Sequence, residues 1–128
     1  MKIALAQINP IIGDLGGNKE KILSFIDQAR MQNAELVVFP ELALTGWPPK
    51  DLLLRKEFIQ ASEEALEDII PHTAGIGVLL GTINSDSDTG KLYNSAILID
   101  NGKITGNVHK AQLQNRYQFD ETSYFAPP

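Results

Sequence analysis

The side chains with the clearest potential for chemistry are a glutamate and a lysine that each follow an apolar segment. Glu41 comes after the run Leu36–Phe39 and a proline, and Lys110 comes directly after Lys103–His109. A carboxylate can act as a general base, and an ammonium group can stabilise negative charge that develops on an oxygen. Neither group is a good nucleophile for an amide, so acyl transfer would need a third residue.

The alternative is that both residues are ordinary surface charges, because most Glu and Lys side chains are solvated. The choice between the two interpretations depends on whether the fold brings Glu41 and Lys110 together across 69 positions (110 − 41). The elements that precede each residue therefore matter most.

Hydrophobic periodicity predicts five strands and two helices. The predicted strands are Ile3–Ile8, Glu35–Phe39, Gly77–Ile83, Leu92–Ile99 and Lys103–His109. The first helix is expected after an N-cap at Asn18, since an asparagine side chain can accept from an early backbone N–H. The second is expected from about Leu52 to Pro71. The residues predicted to face the core are Ile22, Phe25, Ile26 and Ala29 in the first helix, and Phe58, Ala61, Ala65 and Ile69 in the second.

The order of these elements predicts which strand ends meet. Two strand–helix–strand units make the first three strands parallel, and two hairpins then reverse the direction twice. Asn101-Gly102 indicates the second hairpin, because both residues tolerate positive φ. The fifth strand should run parallel to the second, which places Glu41 and Lys110 at one sheet edge. The predicted fold class is α/β, with a mixed sheet flanked by helices.

Composition excludes several classes of function. A net charge of −5 without a strongly basic segment argues against nucleic acid as a partner. The chain has no cysteine, which rules out disulfides and a cysteine nucleophile within these residues. His72 and His109 lack neighbours at ligand spacing, so we expect no metal site. The apolar start is too short for a signal peptide or a membrane span, so we expect a cytoplasmic protein.

Several motifs resemble those of the carbon–nitrogen hydrolase (nitrilase) superfamily. Phe39–Leu42 with Thr45-Gly46 is similar to its glutamate motif, and Lys110 with Leu113 is similar to its lysine motif. More narrowly, the chain resembles the N-terminal glutaminase domains of glutamine-dependent NAD synthetases. The blocks that carry this narrower resemblance are Gln7–Pro10 with Gly13–Leu15, Thr45–Pro49 with Asp51–Leu53, Leu92–Ala96, and Phe119–Glu121 with Tyr124-Phe125.

The resemblance implies a fold, a reaction and partners. Residues 1–128 would be the N-terminal part of an αββα sandwich, a glutaminase domain truncated before its cysteine nucleophile. Glu41 would be the general base, and Lys110 would stabilise the tetrahedral intermediate formed from L-glutamine. Ammonia would pass to a missing C-terminal synthetase domain, which alone would use ATP and Mg²⁺. The parent protein would be a homo-oligomeric enzyme, whereas this segment would need no cofactor and would be inactive alone.

The chain departs from the superfamily pattern near the lysine. The pattern continues with Pro, Asn, Tyr and Gly, whereas this chain has Gln114–Tyr117. Contact with glutamine could therefore fall to Tyr117, which we take as the candidate substrate-binding residue, to Arg116 or to neither. Trp47 replaces a tyrosine that is common in the family, and changes the polar tip of a large aromatic side chain.

Other interpretations remain open from the sequence. The chain could belong to another amidase of the superfamily, with a different amide substrate. It could also be a catalytically inert folding or interaction module, since it carries no nucleophile. Asn94 is similarly ambiguous, because its amide could order the site or satisfy a neighbouring backbone group.

Overall fold

A computed structural model describes residues 1–114 and 120–128 of the chain. Within these residues the predicted α/β class is confirmed, because the strands form one mixed sheet in the order β1-β2-β3-β4-β5. The strands are Ile3–Leu5 (β1), Leu36–Val38 (β2), Gly77–Ser85 (β3), Leu92–Asp100 (β4) and Lys103–His109 (β5). The α-helices are Leu15–Met31 (α1) and Lys56–Ile69 (α2), and short 3₁₀ helices cover Lys50–Leu54, Ile70–Thr73 and Glu121–Ser123.

The strand directions are those that the element order predicts. β1, β2 and β3 pair in parallel, and β4 and β5 follow as antiparallel hairpins. The turn between β4 and β5 has positive φ at Asn101 (50°) and Gly102 (81°), as the dipeptide indicates. β5 therefore runs in the same direction as β2, and the carboxyl ends of both strands reach the same edge of the sheet.

The strand boundaries differ from prediction because pairing, rather than the apolar run alone, decides where a strand ends. β1 ends at Leu5 instead of Ile8, since its ladder with β2 stops where Leu5 faces Val38. β3 instead extends to Ser85, because β4 supplies a partner as far as Leu92. The long β3–β4 hairpin thus forms the middle of the sheet.

Both α-helices pack against one face of the sheet. The predicted core residues that are buried are Ile22, Ile26, Ala29, Ala65 and Ile69, and those that are partly buried are Phe25, Phe58 and Ala61. α2 begins at Lys56 instead of Leu52, because Arg55 is extended (φ −99°, ψ 116°) and separates it from the preceding 3₁₀ helix. No helix in the described ranges is long and apolar enough to cross a membrane.

Asn18 does not cap α1, and that prediction is wrong. The N-cap is Asp14, whose carboxylate accepts from the backbone N–H of Gly17 at 3.0 Å. Asn18 lies inside the helix, fully buried, where its amide exchanges hydrogen bonds with the backbone N–H and C=O of Ile11, each at 2.8 Å. The same amide donates to the carbonyl of Leu44 at 2.9 Å. Asn18 therefore joins the loop before α1 to the loop after β2.

The opposite face of the sheet is apolar and only partly covered by described residues. Leu5, Val38, Leu79 and Leu98 form one cross-strand row on this face. Leu5 at the outer strand is 72% exposed, and Val108 of β5 is 70% exposed. Within the described residues, α-helices cover only the other face of the sheet.

Substituting Asn18 tests whether this buried amide connects the two loops. We expect Asn18→Ala to lower the free energy of unfolding by about 2–3 kcal/mol, because it leaves buried backbone groups of Ile11 and Leu44 without partners. Asn107→Ala, at an exposed asparagine of β5, should cost well under 1 kcal/mol. Denaturant titration of both variants measures the difference, and equal losses would contradict the assigned role.

Candidate active site

Glu41 and Lys110 meet at the edge of the sheet where β2 and β5 end. Lys110 Nζ lies 2.5 Å from Glu41 Oε1. The backbone N–H of Lys110 donates to the carbonyl of Asn94 at 2.7 Å, which continues the pairing of β5 with β4 one residue beyond the strand. The proximity predicted from the strand directions is confirmed, while the catalytic roles of the two residues stay predictions.

Glu121 is a third charged member of the site, and sequence reasoning missed it. Its carboxylate is fully buried and accepts from Lys110 Nζ at 2.7 Å. It also accepts from the Asn94 side-chain amide at 3.2 Å and from the backbone N–H of Gln114 at 3.3 Å. Glu121 follows no apolar strand, so nothing in its local pattern predicts its place. The sequence feature that could have indicated it is the block Phe119–Glu121, which is part of the family resemblance described above.

Asn94 orders the site through its side chain, which decides between the two interpretations that the sequence left open. Its amide nitrogen donates to Glu41 Oε1 at 2.8 Å and to Glu121 Oε2 at 3.2 Å. A primary amide carries two N–H donors, so one residue can hold two carboxylates at once. Asn94 and Lys110 therefore each contact both carboxylates.

The electrostatics of this cluster are those of one cation between two carboxylates. Burial by itself would lower the pKa of Lys110, but the hydrogen bonds and charges of Glu121 and Glu41 outweigh it and raise the pKa above its ordinary value of 10.5. The ammonium group is therefore held in its charged form. Glu121 has no exposed surface, whereas the Glu41 side chain is 44% exposed. Of the two carboxylates, Glu41 is the one open to a substrate.

A cavity of about 300 Å³ lies beside these charges. Its polar wall consists of Glu41, Asn94, Ser95, His109 and Lys110. Its apolar lining includes Phe39, Leu79, Gly81, Ala96 and Val108. A carboxylate and an ammonium group therefore border one space of small-molecule size.

Gly81 on β3 allows the Glu41 backbone to cross close above the sheet. A Cβ atom at Gly81 would lie 2.5 Å from the carbonyl oxygen of Pro40, 2.6 Å from the backbone nitrogen of Leu42 and 2.8 Å from Glu41 Cα. These contacts are to backbone, which has little freedom to move aside. The absence of a side chain at Gly81 therefore sets the position of Glu41.

Two further contacts join the loop after β2 to the segment that carries Glu121. Tyr124 Oη donates to Asp51 Oδ1 at 2.6 Å. Phe125 is buried in an apolar cluster whose other buried members are Leu42, Leu53, Ile83 and Leu92. Leu42, next to Glu41, and Phe125, in the segment after Glu121, thus pack into one cluster that holds the two segments together.

The remaining predicted site residues contribute less to the described geometry. Tyr117, the candidate substrate-binding residue, and Arg116 lie outside the described residues. Trp47 lies in the loop after β2 and is 43% exposed. Within residues 1–114 and 120–128 no group of three or more His, Asp or Glu side chains is arranged to hold a metal ion. His109 instead contacts Ser95 and Tyr93.

Comparison with known proteins identifies the family. The chain matches the carbon–nitrogen hydrolase family over residues 2–127. It is 40% identical to the glutamine-dependent NAD(+) synthetase of Thermotoga maritima over 129 aligned residues, which cover 99% of this chain and 22% of that protein. The resemblance that the sequence motifs indicate is therefore confirmed at both levels.

Solved structures show the same relationship. A glutamine-dependent NAD(+) synthetase from Cytophaga hutchinsonii superposes with a TM-score of 0.91 at 30% identity, over 98% of this chain and 21% of that chain. An amidase from Nesterenkonia sp. superposes with a TM-score of 0.82 at 25% identity, over 100% of this chain and 48% of that chain. The chain thus spans about a fifth of the length of the two synthetases and about half of the amidase.

A paired glycine substitution tests how Glu41 is positioned. Gly81→Ala should lower the free energy of unfolding by about 1–3 kcal/mol and displace Glu41 from Asn94 and Lys110, because the added Cβ collides with backbone. Gly106→Ala, on β5, meets only an ordinary contact of 3.5 Å with Leu98 Cβ and should be nearly neutral. Thermal melts and a crystal structure of each variant measure both effects. An unchanged Glu41–Lys110 contact in Gly81→Ala would contradict this role for the glycine.

Removing the ammonium group of Lys110 tests whether its charge stabilises the buried carboxylate of Glu121. Lys110→Met leaves the buried Glu121 carboxylate without its cation and should cost about 3 kcal/mol at neutral pH. The raised pKa of Lys110 contributes stability that is complete below about pH 10.5 and is lost as the pH rises through its value in the folded protein. The stability difference from wild type should therefore narrow at alkaline pH.

Lys103→Met is the matched control for this experiment, because Lys103 is exposed at the other end of β5. Its unfolding free energy should follow wild type over the whole pH range. Denaturant titrations between about pH 7 and 12 cover the window in which lysine ordinarily titrates. A pH-independent difference between Lys110→Met and wild type would show that the ammonium charge is not what stabilises the cluster.

Proposed function

We propose that this chain, which belongs to the carbon–nitrogen hydrolase family, is part of a glutaminase domain that hydrolyses the side-chain amide of L-glutamine and supplies ammonia for NAD synthesis. The observation that carries the proposal is the Glu41–Lys110–Glu121 cluster beside a cavity, in a chain 40% identical to a glutamine-dependent NAD(+) synthetase. Residues 1–128 form the N-terminal part of that domain, and the relatives extend far beyond the matched segment.

Each charged residue has a distinct role in this reaction. Glu41 is exposed to the cavity and serves as the general base that takes a proton from the attacking nucleophile. Lys110 carries a charge held by two carboxylates and stabilises the oxyanion of the tetrahedral intermediate. Glu121 contacts Lys110 from the buried side and is a positioning residue, because its oxygens are already engaged by three donors.

We assign the nucleophile and the synthetase chemistry to segments outside residues 1–128. The chain has no cysteine, so a cysteine nucleophile would come from a segment beyond residues 1–128. ATP and Mg²⁺ are assigned to a synthetase domain rather than to this cluster, since the Lys110 ammonium already occupies the space between the two carboxylates. Tyr117 is proposed to contact glutamine.

A second candidate function is hydrolysis of a different amide. It is favoured by the superposition with the Nesterenkonia amidase, which extends over the whole of this chain. The two candidates share the roles of Glu41 and Lys110 and differ in the substrate and in the need for a synthetase domain. The two candidate functions are distinguished by measuring the hydrolysis of glutamine and of other amides by one active protein.

A chimaera tests the proposed function. In it, this chain replaces the matched segment of the Thermotoga maritima synthetase, to which it aligns without a large length difference. We expect the chimaera to make NAD with glutamine as nitrogen donor, whereas the 128-residue chain alone should release no ammonia from glutamine. The reason is that acyl transfer needs a nucleophile, whose loss typically costs several orders of magnitude in rate.

Lys110→Ala in this chimaera should lower glutamine-dependent turnover about 10²–10³-fold, the range for losing one oxyanion-stabilising donor. Turnover with free ammonia should be nearly unchanged, because external ammonia bypasses the hydrolytic step. Lys103→Ala is the control and should leave both rates at the level of the parent chimaera. Equal losses with both nitrogen donors in Lys110→Ala would contradict a hydrolytic role, and hydrolysis of other amides but not of glutamine would favour the second candidate.

A further inference from the structure

The last residue pair of the β4–β5 ladder carries an unusual set of side-chain contacts. Ser95 faces His109 across the two strands, and Ser95 Oγ lies 2.7 Å from His109 Nδ1. The ring of Tyr93 stacks on the ring of His109 with centroids 4.1 Å apart and an interplanar angle of 10°. Ser95 is buried and His109 is half-buried. The Tyr93 stack thus holds one face of the imidazole, and the Ser95 hydrogen bond holds its edge.

The neighbours of this pair on the side of the site are Asn94 and Lys110, and each of them contacts both carboxylates. Asn94 precedes Ser95 on β4, and Lys110 follows His109 on β5. The Lys110 backbone N–H donates to the Asn94 carbonyl at 2.7 Å, so the two residues are themselves paired. Their side chains make four contacts with Glu41 and Glu121, between 2.5 and 3.2 Å. Contacts this short depend on a fixed separation of the two strand ends.

Strand ends are ordinarily the least constrained part of a sheet, because fewer ladder hydrogen bonds lie beyond them. β5 is the outermost strand of the described sheet and pairs with β4 alone. A side-chain hydrogen bond and a ring stack at the last pair add to the constraint from the ladder and from the single backbone bond between Lys110 and Asn94 beyond it. The hydrogen bond can form with either tautomer of His109, since a serine hydroxyl can both donate and accept.

We propose that Ser95 and His109 form a clamp that fixes the spacing of Asn94 and Lys110, and through them the spacing of the two carboxylates. Both are positioning residues, because they act through their chain neighbours. The proposal rests on the proposed hydrolytic function for its purpose, since fixed spacing aims Lys110 and Glu41 at one reacting centre. Tyr93 supports the clamp by holding the imidazole plane against β4.

The experiment compares three single variants of the 128-residue chain and the double variant Ser95→Ala/His109→Phe. Ser95→Ala removes the hydroxyl, and His109→Phe keeps a ring on Tyr93 while removing the nitrogen. Thr105→Val is the matched control, because the exposed Thr105 hydroxyl makes a 3.4 Å contact with the Leu98 carbonyl on the same pair of strands. NMR measures the side-chain pKa of Lys110 and the hydrogen exchange of its backbone amide.

We expect Ser95→Ala and His109→Phe each to lower the Lys110 pKa toward its ordinary value, because the ammonium loses contact with the carboxylates. Exchange of the Lys110 amide should become about fivefold faster, which corresponds to about 1 kcal/mol for one hydrogen bond. The double variant should change neither quantity further, since both substitutions break one contact. Thr105→Val should match wild type in both measurements.

An unchanged Lys110 pKa in both single variants would overturn the clamp, even with faster amide exchange, because the pair would then only stabilise the ladder. Additive effects in the double variant would also overturn it. If Ser95→Ala fails to fold, the half-buried His109 provides the deciding variant. These measurements require no turnover, so they can contradict the clamp while the glutaminase proposal stands, and the chimaera can fail while the clamp is observed.

Discussion

The placement of one ammonium group between two carboxylates is the interaction on which the site depends. A fully buried carboxylate such as Glu121 is unfavourable unless its charge is paired and its oxygens accept hydrogen bonds. Lys110 supplies the charge, and Asn94 and a backbone N–H supply further donors. Burying Glu121 therefore requires that the ends of β4 and β5 and the segment after residue 119 come together. Glu41, from the end of β2, completes the same cluster.

The backbone geometry around Glu41 follows from a constraint of a different kind. Gly81 leaves no atom where a Cβ would collide with Pro40, Glu41 and Leu42, so the loop after β2 can lie directly on β3. Leu42, at positive φ, then enters the apolar cluster that also contains Phe125. Steric room and apolar packing thus fix the path of the chain. For Glu41, the ion pair therefore acts on a side chain whose backbone is positioned by these contacts.

The sequence predicted the part of the site that strand direction determines. Glu41 and Lys110 both follow strands, so counting reversals of direction was enough to place them at one edge. Glu121 follows no strand, and its burial depends on a cation that arrives from a different segment, so no local pattern indicates it. Asn18 was misassigned for a related reason. Its type suits an N-cap, but its partners lie in two loops that only the folded chain brings within reach. Long-range polar contacts of this kind carry no periodicity.

The unequal environments of the two carboxylates decide which of them a small molecule in the cavity can reach. Glu121 accepts from three donors and has no exposed surface, so its oxygens are engaged in holding Lys110 and Asn94. Glu41 shares the same cation and the same amide but keeps nearly half of its side-chain surface open to the cavity. Lys110 is paired with Glu121 on its buried side, so one of its two ion pairs does not depend on the exposed Glu41 carboxylate. Under the proposed hydrolytic function, this arrangement leaves Glu41 available for the general-base step while Glu121 keeps the cation beside it.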